Sequence, residues 1–85
     1  MPAIGGGMIF INVKSPVGRQ IFARGDYSAS FGAAPITIST QPGTHTFDAV
    51  QNDAVDFRGR VRNVPDGATV DLDLDPLVPP EPIPA

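Results

Sequence analysis

The chain contains no cysteine and no tryptophan, a single histidine (His45) and a single lysine (Lys14). Without cysteine there is neither a disulfide framework nor a thiolate metal site. One histidine cannot build a His-rich zinc site, and no nucleophile motif stands near His45, so no catalytic residue is assigned. Basic residues are few, Lys and Arg together numbering 6 against 9 Asp and Glu, for a net charge of −3. That balance argues against a general nucleic-acid binder. No apolar run approaches the ~20 residues that a membrane-spanning helix needs, so membrane insertion is not expected. The N-terminus carries no basic region ahead of its apolar segment, which reads as no signal peptide. A cytoplasmic or virion-associated location is therefore expected over classical secretion, in line with the missing disulfides.

What the chain does have is turn residues. Ten prolines and nine glycines in 85 residues leave no room for a long helix. Between them lie short alternating segments. In Ala54 to Arg62, Val55, Phe57, Gly59 and Val61 share one face against Asp56, Arg58, Arg60 and Arg62. In Thr69 to Asp75, Val70, Leu72 and Leu74 share a face against Thr69, Asp71, Asp73 and Asp75. Such alternation marks strands with one face buried and one wet. Pro65-Asp66-Gly67 between them reads as a hairpin turn. The hairpin would pair Arg62 with Thr69, Arg60 with Asp71 and Arg58 with Asp73, aligning both the apolar rows and the opposite charges.

Further strands are expected over Met8 to Lys14, Arg19 to Arg24, Pro35 to Ser39 and Thr44 to Gln51. Ser15-Pro16-Val17-Gly18, Gly25-Asp26, Gln41-Pro42-Gly43-Thr44 (type II by its chemistry) and Asn52-Asp53 turn the chain between them. Tyr27 to Ala34 reads as a loop or an edge strand. The fold expected is all-β: one small antiparallel, Greek-key-like sandwich of six or seven strands over residues 8–75. A Gly-rich arm (1–7) and a Pro-rich tail (76–85), unable to join a ladder, flank it.

Three spots resemble the PEGA-type β-sandwich, with transthyretin-like sandwiches as near alternatives. They are Ser15-Pro16-Val17-Gly18 ahead of a strand ending at Arg24-Gly25, Gly32-Ala33-Ala34-Pro35 leading into Ile36-Thr37-Ile38, and Gln41-Pro42-Gly43-Thr44-His45-Thr46-Phe47. The resemblance covers about residues 11–74. The sequence departs from it at Arg19, where the family has Ala, and in the longer link from Asp26 to Phe31. It implies a non-catalytic module, in which the histidine after the Pro-Gly turn is structural.

Other constellations read as ordinary surface. Counted from Asp71, the positions where a calcium loop needs Gly and Glu hold Pro76 and Pro82, so Asp71, Asp73 and Asp75 are expected to bind no metal. Arg58, Arg60 and Arg62 would suit phosphate, but the neighbouring aspartates would neutralise them. Gly5-Gly6-Gly7 lacks the Gly-Lys-Ser/Thr of a phosphate loop. No cofactor is expected. Met8 and Phe10 differ: they are apolar on the face of the first strand opposite Ile9, Ile11 and Val13, and a strand apolar on both faces is usually covered on both. With Leu77, Val78 and Ile83 of the tail, they form an expected contact surface. The reading is a structural or interaction subunit binding a larger assembly, such as a virion or a surface layer, as a homo-oligomer or on a lattice of other chains. The alternative is a ligand-binding module, for instance for cell-envelope carbohydrate, with Tyr27 and Phe31 as its aromatic platform.

Overall fold

A computed structural model describes residues 7–77. The strands are β1 (Ile9–Ser15), β2 (Gln20–Ala23), β3 (Gly32–Ala33), β4 (Ile36–Thr40), β5 (Gly43–Gln51), β6 (Ala54–Val64), β7 (Thr69–Asp73) and β8 (Asp75–Pro76). There is no helix among the described residues. The strands form a three-stranded sheet, β4-β1-β7, and a five-stranded sheet, β3-β2-β5-β6-β8. The protein is thus an all-β sandwich. Its pairings are antiparallel except that of β1 with β7, which is parallel.

The core lies between the sheets. Alternation along β1 sends Ile9, Ile11 and Val13 inward, each with no exposed surface. They meet Ile38 of β4, Ile21 of β2, Phe47 and Ala49 of β5, Val61 and Val64 of β6, and Leu74. A side chain of this size contributes roughly 1.5–3 kcal/mol when fully buried. Gly59 is buried because β6 crosses closely over the leucines: a Cβ there would stand 2.5 Å from Leu74 Cδ2 and 3.1 Å from Leu72 Cδ1.

The prolines mark the crossings between sheets. Pro16 lies between β1 and β2, Pro35 between β3 and β4, Pro42 between β4 and β5, and Pro65 between β6 and β7, and each of these connections changes sheet. Proline has no N–H for a ladder, so it suits a point where one ladder ends and another begins. The β5–β6 connection is a tight hairpin. Asn52 and Asp53 both take positive φ (54° and 63°), as a two-residue type I′ turn requires.

Two expectations are corrected. The turn at Pro65-Asp66-Gly67 does not make a hairpin: β6 and β7 lie in different sheets and face each other across the core. Arg60 therefore does not pair with Asp71, nor Arg58 with Asp73. Two strands with one apolar face each can set those faces side by side or opposite one another, and alternation is the same in both cases. The tail boundary also shifts. Asp75 and Pro76 form β8 against Arg58 and Phe57, and the Leu77 N–H donates to the Asp56 carbonyl at 2.9 Å. Proline is tolerated there because β8 is an edge strand.

Candidate interaction surfaces

The outer face of the three-stranded sheet carries Met8 and Phe10 at one end, 51% and 36% exposed. The Pro65–Ala68 turn fixes their backbone. The Met8 N–H donates to Asp66 Oδ1 at 2.9 Å, its carbonyl accepts from Gly67 N–H at 2.9 Å, and the Phe10 N–H donates to the Ala68 carbonyl at 3.0 Å. Phe10 stands between Ser39 and Thr69 on the neighbouring strands. Beyond it the face turns polar. Thr37 Oγ1 donates to Asn12 Oδ1 at 2.6 Å, Asn12 Nδ2 donates to Asp71 Oδ1 at 3.0 Å, and Lys14 Nζ lies 3.7 Å from Asp71 Oδ2. The Asn12 hydrogen bond, followed by the Lys14 charge, holds the Asp71 carboxyl below its ordinary range. Ser15 Oγ donates to Asp73 Oδ1 at 3.0 Å. A depression of about 280 Å³, lined in part by Lys14, Pro35 and Thr37, lies at this polar end.

The outer face of the five-stranded sheet holds an ion pair with a buried carboxylate and a partly exposed guanidinium, which the sequence does not announce. Asp48 stands on this face between Phe22 of β2 and Arg58 of β6, yet has no exposed surface. Arg58 Nε donates to Asp48 Oδ1 at 2.6 Å and Nη2 to Oδ2 at 3.3 Å, while Tyr27 hydroxyl donates to Oδ2. The Tyr27 ring caps the pair and packs edge-on against Phe22, with centroids 5.9 Å apart. Hydrogen bonding to Asp48 raises the Arg58 guanidinium above its already high value, against the opposing effect of burial.

The register that joins Asp48 to Arg58 depends on one extra residue. Gln51 faces Ala54 at the turn, and continuing that count would set Asp48 opposite Phe57. A shift between Ala49 and Val50 inserts Asp56 and brings Arg58 beside Asp48 instead. This is a β-bulge. Asp56 itself pairs with Arg19 Nη1, and the Arg19 guanidinium lies 5.4 Å from the Phe57 ring centroid. The only signal in the sequence was an acid and a base near matching positions of one hairpin. The bulge itself left no trace there.

Next to this pair, Arg60 and Arg62 project from β6 and are exposed. Arg60 Nε donates to Thr46 Oγ1 at 3.2 Å. Among the described residues no carboxylate forms an ion pair with Arg60 or Arg62. With Thr46, Arg58, Gly59 and Asp75 they line a depression of about 350 Å³. The neutralising role expected of the three aspartates is therefore corrected in part: Asp71 and Asp73 lie on the other sheet, and only Asp75, opposite Arg58 on β8, stands beside the arginines.

The remaining expected site residues are dispersed. Tyr27 and Phe31 do not form one platform. Tyr27 packs on Phe22, which points outward, while Phe31 packs on Phe47, which points into the core, with centroids 5.9 Å apart. Leu77 is 42% exposed; Val78 and Ile83 lie outside the described residues. His45 is half-buried, stacks on Phe47 and donates from Nε2 to the Gln41 carbonyl at 2.7 Å, clasping the turn before β5. No three His, Asp or Glu side chains gather as metal ligands among the described residues, and no helix there is long and apolar enough to cross a membrane. Comparisons with family models, curated proteins and solved structures returned no significant match.

Proposed function

We propose that this protein is a non-enzymatic interaction subunit that docks on a larger protein assembly through the outer face of β4-β1-β7. The observation that carries this reading is the exposure of Phe10 on β1, the central strand of that sheet, and of Met8 just ahead of it. Exposed apolar side chains beside each other on a polar surface mark contact sites. Their backbone is pinned by three hydrogen bonds to the Pro65–Ala68 turn, so they present a pre-formed surface. The polar network from Thr37 to Lys14 supplies a hydrophilic rim on one side, the anatomy of a docking patch with an apolar centre. A virion shell or a surface layer, built of many copies of one protein, is the kind of assembly such a small module decorates.

The test is a photo-crosslinking residue in place of Phe10 in the native host. The expected result is one dominant adduct with a multi-copy structural protein, lost on Met8→Ser. Thermal melts should show the Met8→Ser/Phe10→Ser protein still folded. A spread of unrelated adducts, or a double variant that cannot fold, would sink this reading.

A further inference from the structure

We propose that the outer face of the five-stranded sheet binds single-stranded nucleic acid, with Arg24, Arg60 and Arg62 on the phosphates and the Tyr27 ring against a base. This face lies across the sandwich from Met8 and Phe10, and neither proposal needs the other.

The sheet register gathers the three arginines. The Arg24 N–H donates to the Thr46 carbonyl at 3.1 Å, and Thr46 stands opposite Arg60. Arg24 lies two residues beyond Phe22 and so continues its outward side. Arg24, Thr46 and Arg60 thus make one row across β2, β5 and β6, and Arg62 follows two residues further along β6. The row sets the two arginine backbones about 10 Å apart, with Arg62 about 7 Å from Arg60. All three arginines are exposed, and among the described residues none has a carboxylate in an ion pair.

The net charge of the whole chain, −3, does not describe this face. Asp71 and Asp73 belong to the other sheet. Stacked sheets lie about 10 Å apart, beyond the Debye length of about 8 Å at physiological salt, so those charges are largely screened here. Asp48 is enclosed by Arg58 and Tyr27. Asp26 stands opposite Ala23 across the turn, on the inward side, and accepts from Ser28. Asp75 is the one carboxylate lining the depression beside Arg60 and Arg62. Three arginines without an ion pair therefore stand against one aspartate.

Phosphate and carboxylate both suit a guanidinium fork, and the neighbouring ring decides between them. Tyr27 is 43% exposed and caps the Phe22–Asp48 row, about 7 Å along the strands from the Arg24–Arg60 row. Its hydroxyl on Asp48 and its contact with Phe22 hold the ring in place before any ligand arrives. The two ring planes stand at 66°, one edge against the other's face, so Phe22 covers at most one face of Tyr27. An exposed, fixed ring beside a cationic row is what a single strand uses: its backbone tracks the positive charge and a base stacks on the aromatic. An acidic peptide gains nothing from stacking there.

The test is fluorescence anisotropy of a labelled oligothymidylate of about 12 nucleotides, titrated with the full chain from low to physiological salt. With three phosphates contacted, log K should fall against log salt with a slope of about −2, since each contact on a single strand contributes roughly 0.7. Arg60→Ala and Arg62→Ala should each weaken binding and reduce that slope by about 0.7. Asp75→Asn should tighten binding about threefold, because it removes the one opposing charge. Tyr27 is the only tyrosine and the chain has no tryptophan, so its fluorescence reports on that ring alone. Unlabelled oligothymidylate should quench it. Tyr27→Leu should lower the affinity about five- to hundredfold, while Tyr27→Phe, which retains a ring, should keep most of it. Met8→Ser/Phe10→Ser should bind like the wild type, which separates this proposal from the preceding one. Four results would each overturn it: no binding at low salt, a slope unmoved by both arginine variants, an unquenched Tyr27, or displacement by oligoglutamate of equal charge as readily as by unlabelled oligothymidylate.

Discussion

Removing either partner of the Asp48–Arg58 pair should have very unequal effects. Asp48 has no exposed surface, whereas the Arg58 side chain is 31% exposed. In Arg58→Met, the buried carboxylate keeps only the Tyr27 hydroxyl as a side-chain donor. Breaking a buried pair by deleting one partner costs about 3–5 kcal/mol, because the remaining charge is uncompensated. In a domain of this size each kcal/mol lowers Tm by roughly 4–8 °C, so the expected drop is between about 12 and 40 °C. In Asp48→Leu, by contrast, Arg58 already reaches solvent and can turn further into it. The loss there is one Tyr27 hydrogen bond and some packing, about 1–2 kcal/mol. The double variant Asp48→Leu/Arg58→Met replaces the pair by apolar groups and should lie within about 1 kcal/mol of the wild type. Urea melts of the four proteins, with m held common, give the coupling. The reasoning fails if Arg58→Met is no more damaging than Asp48→Leu, or if the double variant is as unstable as Arg58→Met.

Two further outcomes follow from the packing and the outer face. Gly59→Ala should destabilise by about 1–3 kcal/mol in thermal or urea melts, since its methyl group would meet the Leu74 and Leu72 side chains; a neutral result would mean that β6 and β7 are not in close contact. Asp71 should titrate below an ordinary Asp in an NMR acid titration, because Asn12 and then Lys14 favour its charged form. Its contribution to stability is present above the unfolded carboxyl range near ~3.9 and is lost as pH falls through its lowered folded value. Asn12→Ala should move that midpoint upward, and an unmoved midpoint would show that the hydrogen bond does not act on Asp71.

Residue alternation made the strand faces legible, and turn chemistry made the strand ends legible. Val61 inward and Arg60 outward follow from period two, and Asn52-Asp53 marks a true hairpin. What alternation could not reveal was which strand pairs with which. Pro65-Asp66-Gly67 reverses the chain equally well within a sheet or between sheets, so from the sequence β7 reads as the partner of β6, whereas it pairs with β1. The Met8–Phe10 surface was legible because two apolar residues stood on the wrong face of a strand. The buried state of Asp48 was not, because it rests on the inserted Asp56 and on Tyr27 folding back from a loop. Both are tertiary choices that leave no periodic mark.

The place of β1 at the centre of its sheet also sets an order of assembly. Asn12 makes bonds spanning 25 residues to Thr37 and 59 residues to Asp71. The first of the described strands is thus among the last to be closed, since its neighbour β7 follows six of them in the chain. The β5–β6 hairpin needs only a two-residue turn and can form while β1 is still waiting. Closing such long loops is entropically slow, and folds dominated by distant pairings fold in milliseconds to seconds. During that interval Ile9, Ile11 and Val13 are uncovered on one face and Met8 and Phe10 on the other. A nascent chain that stops short of Thr69 holds an apolar strand with an open edge, the species most prone to misassembly or to capture by a chaperone.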